Sequence, residues 1–187
     1  MEWLNEPPAW EVRGETLIVT AGPRTDFWRT THYGFVRDNG HLWYRSWEGD
    51  FVAEVKVTGD YRDQYDQAGL MVRLDERIWL KCGVEFVDGV QQASAVVTRE
   101  HSDWSVAPLT DNPRSFWLRV SRTGPDVEVR YSVDGQRYDL LRLARLTDAL
   151  RLRVGPMCAA PDGAGFSVTF EGFVLRPPDE QGGMNAH

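Results

Sequence analysis

Between Ile78 and Phe86 the chain alternates. Ile78, Leu80, Cys82, Val84 and Phe86 share one side; Trp79, Lys81 and Glu85 share the other, with Gly83 among them. A period of two sustained over this stretch predicts a β-strand with two unlike faces. Just upstream, Leu70, Val72 and Leu74 oppose Met71 and Arg73, and Asp75-Glu76-Arg77 supplies a tight connection. Tyr65 to Phe86 therefore reads as an antiparallel hairpin. The same alternation recurs from Phe51 to Thr58, from Phe116 to Ser121 and from Val127 to Val133, and again around Leu152 and Val154 and around Phe166, Val168 and Phe170. Val12 to Val19 forms a further hairpin turning at Gly14-Glu15, and Gln92 to Arg99 returns as a strand rich in β-branched residues.

Turn residues punctuate these runs at Asp38-Asn39-Gly40, Asp88-Gly89, Gly124-Pro125-Asp126 and Asp134-Gly135. Leu42 to Trp47 reads as a short strand. Met1 to Trp10 reads as an arm laid over the body, Pro23 to Tyr33 as an irregular aromatic-rich segment, and His101 to Thr110 as a loop. Leu140 to Leu150 is the one candidate helix, or equally a strand followed by a loop. With no strand–helix alternation, a parallel α/β fold is excluded. The pattern predicts an all-β protein, a two-sheet antiparallel β-sandwich in which stacking buries the apolar side of each sheet. Residues 1–176 would form one domain with its N-terminal arm, and 177–187, with Pro177, Pro178, Gly182 and Gly183, a flexible tail.

Hydrophobic residues make up 42% of the 187, enough for a full core, and the net charge of -7 argues against a nucleic-acid partner, which calls for a basic surface. No segment resembles a signal peptide or approaches the ~18 continuous apolar residues of a membrane span. The cytoplasm is the default compartment, with no membrane partner. Cys82 and Cys158 sit in apolar strand patterns and are expected as buried free thiols. His32, His41 and His101 lack metal-ligand spacing, and no loop pattern fixes Asp60, Asp63 and Asp66 as a calcium site, so neither metal nor other cofactor is expected. The eight tryptophans suit either a wide core or stacking platforms.

Several spaced motifs carry a family resemblance: Thr25-Asp26-Phe27-Trp28, Asp38-Asn39-Gly40-His41, Tyr65-Asp66-Gln67-Ala68-Gly69-Leu70-Met71, Trp79-Leu80-Lys81 with Glu85, and Ser102-Asp103-Trp104-Ser105. Trp117-Leu118-Arg119-Val120 and Val154-Gly155-Pro156-Met157 extend it. From about Trp3 to Phe173 the chain resembles family 1349 among the domains of unknown function, the regulation-of-enolase protein-like family. The resemblance implies a concanavalin A-like jelly roll, the fold of legume lectins and laminarinase-type glucanases, and no settled activity. The Glu-x-Asp-x-x-Glu strand of those glucanases is absent: Glu85 stands alone, and Asp75-Glu76 lies in a turn.

Strand parity places Trp79, Lys81, Glu85, Trp117 and Arg119 opposite the core, as one concave face carrying two rings and three charges. Such a face suits a carbohydrate or other polar small molecule, rings stacking on apolar sugar faces and charges meeting hydroxyls. It equally suits an ion-pair network that shields the tryptophans. Asp66, Gln67, Asp103 and Trp104 are rim candidates, or else loop caps and an edge plug. Non-catalytic recognition leads. A glycan-active hydrolase using Glu85 with a second carboxylate, Asp66 or Asp103, is the alternative. A regulatory module with a protein partner is the third. No catalytic nucleophile motif is present.

Overall fold

The computed structural model describes residues 1–179. Its strands are, in chain order, β1 (Glu2–Leu4), β2 (Ala9–Arg13), β3 (Thr16–Thr20), β4 (Phe27–Arg29), β5 (Val36–Asp38), β6 (His41–Glu48), β7 (Phe51–Gly59) and β8 (Gln67–Arg73). They continue with β9 (Ile78–Val87), β10 (Val90–Arg99), β11 (His101–Pro108), β12 (Phe116–Thr123), β13 (Asp126–Ser132), β14 (Asp139–Arg145), β15 (Arg151–Ala159) and β16 (Ser167–Arg176). No helix occurs among the described residues. Two seven-stranded antiparallel sheets result, ordered β1-β6-β15-β8-β9-β10-β11 and β14-β13-β12-β7-β16-β3-β2, and β4 pairs with β5 as a separate small hairpin. The all-β sandwich expected from the alternation is the architecture observed.

The core lies between the sheets. Leu70, Val72, Leu80, Cys82 and Val84 from the first sheet meet Val55, Phe116, Leu118, Val120 and Phe170 from the second, all buried. Cys82 and Cys158 are free and buried here, as the strand patterns require. Burial pushes the Cys82 thiol up to about 12, and the Cys158 thiol upward as well. Where β8 and β9 cross their midpoints, Gly69 faces Gly83, and a side chain on either would run into backbone carbonyls of the partner strand. That close approach requires glycine at both positions.

Two expectations change, and one open choice is decided. The N-terminal arm is not laid over the body: β1 pairs with β6 at the edge of one sheet and β2 with β3 at the edge of the other. The chain thus closes one edge of each sheet with its first residues. His101 to Thr110 is largely a strand, since β11 pairs with β10 from Gln92 to Arg99. Its polar sequence reflects an edge position, with a partner on one side only. Of the two readings of Leu140 to Leu150, the strand followed by a loop is the one observed: β14 pairs with β13, with a register shift at Val129/Arg130, and then gives way to a loop. Leu140 and Leu143 are more than half exposed on that edge, so their apolar character marked no core. Most of the tail, residues 180–187, lies outside the described residues.

Candidate functional site

Both faces of the first sheet are covered. Its inner face meets the second sheet; its outer face carries a smaller apolar cluster of Leu42, Met71, Trp79, Val96 and Met157, capped by Phe27 and Trp28 of β4. Parity therefore places Trp79 opposite Leu80, as read from the sequence, but Trp79 is fully buried rather than offered to a ligand. Its ring lies 6.2 Å from that of Phe27.

The β4–β5 hairpin is fixed at its base by two ion pairs. Lys81 Nζ donates to Asp26 Oδ1 at 3.0 Å and to the Phe27 carbonyl at 2.7 Å, with both charged side chains nearly enclosed. Arg73 forks onto Asp38, its two terminal nitrogens 2.6 and 2.8 Å from the carboxylate oxygens. The enclosed Lys81–Asp26 pair and the bidentate Arg73–Asp38 pair together fix the hairpin's orientation. Ser102 Oγ accepts the Arg29 amide at 2.9 Å and holds the far end of β4. Beyond these anchors the hairpin tip, with Tyr33, Phe35 and Val36 exposed, projects from the sheet.

A pocket of about 240 Å³ opens between the tip, the sheet and the loop after β15. Its aromatic lining is Trp28, Tyr33, Phe35, Tyr65 and Trp104; its polar lining is Asp26, Arg37, Gln67, Lys81, Glu85 and Asp162, with Pro161 completing the wall. Glu85 is 7% exposed. Its Oε2 accepts from Ser94 Oγ at 2.7 Å and from the Trp104 indole nitrogen at 2.8 Å. Oε1 takes no hydrogen bond from the described residues. Burial pushes the Glu85 carboxyl above its ordinary value, while neighbouring Lys81 and the two donors oppose the rise. Gln67 stands directly across from Glu85 in the β8–β9 register and donates to the Tyr65 carbonyl at 3.1 Å.

Of the residues read from the sequence, Lys81, Glu85, Gln67 and Trp104 come together here, and Trp79 packs beneath the hairpin. Trp117 and Arg119 do not join them. They are on β12 of the second sheet, facing away from the core on the opposite side of the sandwich. There Arg119 pairs with Glu54 at 2.6 Å and lies over Tyr138, while Lys56 approaches the Trp117 ring at 5.6 Å. Alternation reports which side of its own sheet a residue occupies, not which sheet. Asp66 is completely buried and turned away from the pocket: one carboxylate oxygen accepts the amides of Arg62 and Asp63, both at 2.9 Å. Asp103 is exposed and paired with Arg142 at 3.2 Å. Asp26, present in the sequence only as part of the family motif, is the partner of Lys81. Trp28, Tyr33, Phe35, Arg37, Tyr65 and Asp162 were missed, although the aromatic richness of Pro23 to Tyr33 pointed toward the first of them. Among the described residues no group of three potential ligands could hold a metal ion, and no helix is long and apolar enough to cross a membrane.

Residues 3–178 match the family described as protein of unknown function DUF1349. The chain belongs to that family. A curated relative, "Regulation of enolase protein 1" of Saccharomyces cerevisiae, is 40% identical over 176 residues, covering 94% of this chain and 89% of that one. A crystal structure of a functionally unknown protein from the same yeast superposes with a TM-score of 0.92 at 40% identity, over 95% of this chain and 96% of the other. Among more distant structures is the carbohydrate binding module CBM66 from Bacillus subtilis, with a TM-score of 0.56 at 14% identity, over 93% of this chain and 94% of that one. At that identity the likeness concerns the fold alone.

Proposed function

We propose that this DUF1349 protein is a recognition module that holds a small polar molecule, a single sugar unit or a compound of similar size, in the pocket under the β4–β5 tip. One observation carries the reading: an open cavity lined by five aromatic rings and a deeply buried carboxylate, Glu85, one oxygen of which has no partner among the described residues. Apolar walls with a few fixed polar groups are the usual composition of a small-molecule site. At about 240 Å³ the cavity lies below the ~300–1,000 Å³ of sites for drug-sized ligands, which favours one ring over a polymer. The name of the CBM66 neighbour accords with a sugar, though only as an analogy of fold.

The hydrolase alternative loses the two partners read for Glu85 from the sequence, leaving Asp162, at the exposed rim, as the further carboxylate of the pocket unpaired among the described residues. Asp66 is committed to backbone amides and Asp103 to Arg142, while Asp26 holds Lys81. A glycosidase needs both a proton donor and a free carboxylate flanking the bond. Calorimetric titration with a panel of pentoses, hexoses, polyols and small amines tests the proposal. Binding by a panel member that is lost in Trp104→Ala supports it. Binding that survives Trp104→Ala, or no binding by any member, overturns it.

A further inference from the structure

We propose that the group this pocket selects is an organic cation, an alkylated ammonium held among aromatic faces against the free oxygen of Glu85. The inference rests on the pocket being a binding site, as above, and names the chemistry of its occupant.

The ring geometry is the first support. Trp28 stands at 89° to Trp104 with centroids 6.5 Å apart, Tyr65 at 76° and 6.4 Å, and Tyr33 at 69° to Trp28 and 5.7 Å. A sugar ring stacks on one flat surface. Rings that meet near right angles instead give walls on several sides, the arrangement used to enclose ammonium groups. Cation–ring contacts already occur around this site: Arg37 lies 4.6 Å over Phe35, and Lys81 lies 5.7 Å over Trp79.

Charge is the second. The charged groups that line the pocket are Asp26, Arg37, Lys81, Glu85 and Asp162. Lys81 is held by Asp26 and the Phe27 carbonyl, so that pair is neutral as a unit. Glu85 and Asp162 remain against Arg37, whose guanidinium rests on Phe35. Glu85 is the most enclosed of the unmatched charges. Ser94 and Trp104 hold its Oε2, leaving Oε1 as an acceptor with no donor among the described residues. A buried carboxylate of this kind gains most from a cation that brings little hydration of its own. An alkylated ammonium meets that condition.

The binding should be linked to pH. A cation favours the ionised carboxylate, and burial favours the protonated one. Affinity should therefore fall as the pH drops through the raised pKa of Glu85.

The experiment is calorimetric titration of the full chain with tetramethylammonium and choline. 3,3-Dimethylbutanol serves as the uncharged shape match of choline, and xylose and glucose represent the sugars. Choline should bind at least about tenfold more tightly than dimethylbutanol. Glu85→Gln, which keeps an acceptor for Ser94 and Trp104, should erase that preference together with its pH dependence. Phe35→Leu, at an exposed rim position where folding is not at stake, should weaken choline about three- to tenfold while leaving dimethylbutanol unchanged. Binding of a sugar but of neither ammonium would overturn the cation assignment and leave the recognition site standing. Equal binding of choline and dimethylbutanol, or a preference that survives in Glu85→Gln, would also overturn it. No binding by any probe would remove the assignment and the site together.

Discussion

Replacing Trp79 by alanine tests whether the outer face of the first sheet is a second core. Trp79 is fully buried among Phe27, Leu42, Met71, Val96 and Met157, and its indole nitrogen has no hydrogen-bond partner among the described residues. Truncating a buried tryptophan costs about 3–5 kcal/mol, from lost transfer energy plus the cavity left behind. The unpaired N–H works in the other direction, since its desolvation without a partner costs about 1–3 kcal/mol and ends with the substitution. Trp79→Ala is therefore expected near ~3 kcal/mol, inside the ~2–5 kcal/mol range for Leu80→Ala on the opposite face. Trp79→Phe removes the orphan donor but keeps a ring against Phe27, and should stay below about 1.5 kcal/mol. Urea unfolding of the three variants beside the parent, at constant m, reads these values from the midpoints. A loss under about 1 kcal/mol for Trp79→Ala would refute the reasoning, because the hairpin would then not be packed on the sheet.

Further outcomes follow from the same structure. Asp26→Asn should cost about 3–5 kcal/mol in the same unfolding assay, since it leaves the Lys81 ammonium enclosed without its counter-charge. Lys81→Met with Asp26→Asn should recover a large part of that loss, and failure to do so would show that the pair is not coupled. Glu85 has a folded-state pKa above its unfolded one, so its contribution to stability is full below the unfolded pKa and is lost as pH rises through the folded value. Glu85→Gln should consequently gain stability relative to the parent as pH rises from 4 toward 8, about 4 being the ordinary carboxylate value; a constant difference across that window would contradict the assignment. Cys82 and Cys158 should react with a polar thiol reagent only on unfolding, as their buried positions and raised pKa values require.

Much of the fold was legible because alternation is a local signal with a long-range cause. Leu80, Cys82 and Val84 on one side and Lys81 and Glu85 on the other lie as parity dictates. Turn chemistry at Asp88-Gly89 and Asp134-Gly135 set the hairpin ends correctly. Edge strands were less legible. β11 and β14 each have one partner and carry mixed sequence, so they read as a loop and as an ambiguous helix. The site was legible only in part, for a topological reason. Parity does not say which sheet a strand joins, and so Trp117 and Arg119 were grouped with residues on the far side of the sandwich. Nor could it show that the hairpin from Phe27 to Asp38 folds back over the sheet. That contact depends on Lys81 meeting Asp26 and Arg73 meeting Asp38, pairs separated by 55 and 35 residues. The hairpin buries Trp79 and brings Trp28, Tyr33 and Phe35 to Glu85, turning a presumed open face into a pocket.

The most direct test of the recognition site is the set of tryptophan indole N–H signals in ¹H–¹⁵N spectra, recorded with and without each member of the sugar, polyol and amine panel. Trp104 donates its indole proton to Glu85 inside the pocket, Trp28 lines the same pocket, and Trp117 lies on the other sheet as an internal reference. A panel member should shift the Trp104 and Trp28 signals in a saturable way and leave Trp117 in place. Spectra in which every compound leaves Trp104 and Trp28 unmoved, or in which Trp117 moves instead, would contradict a binding site beneath the hairpin.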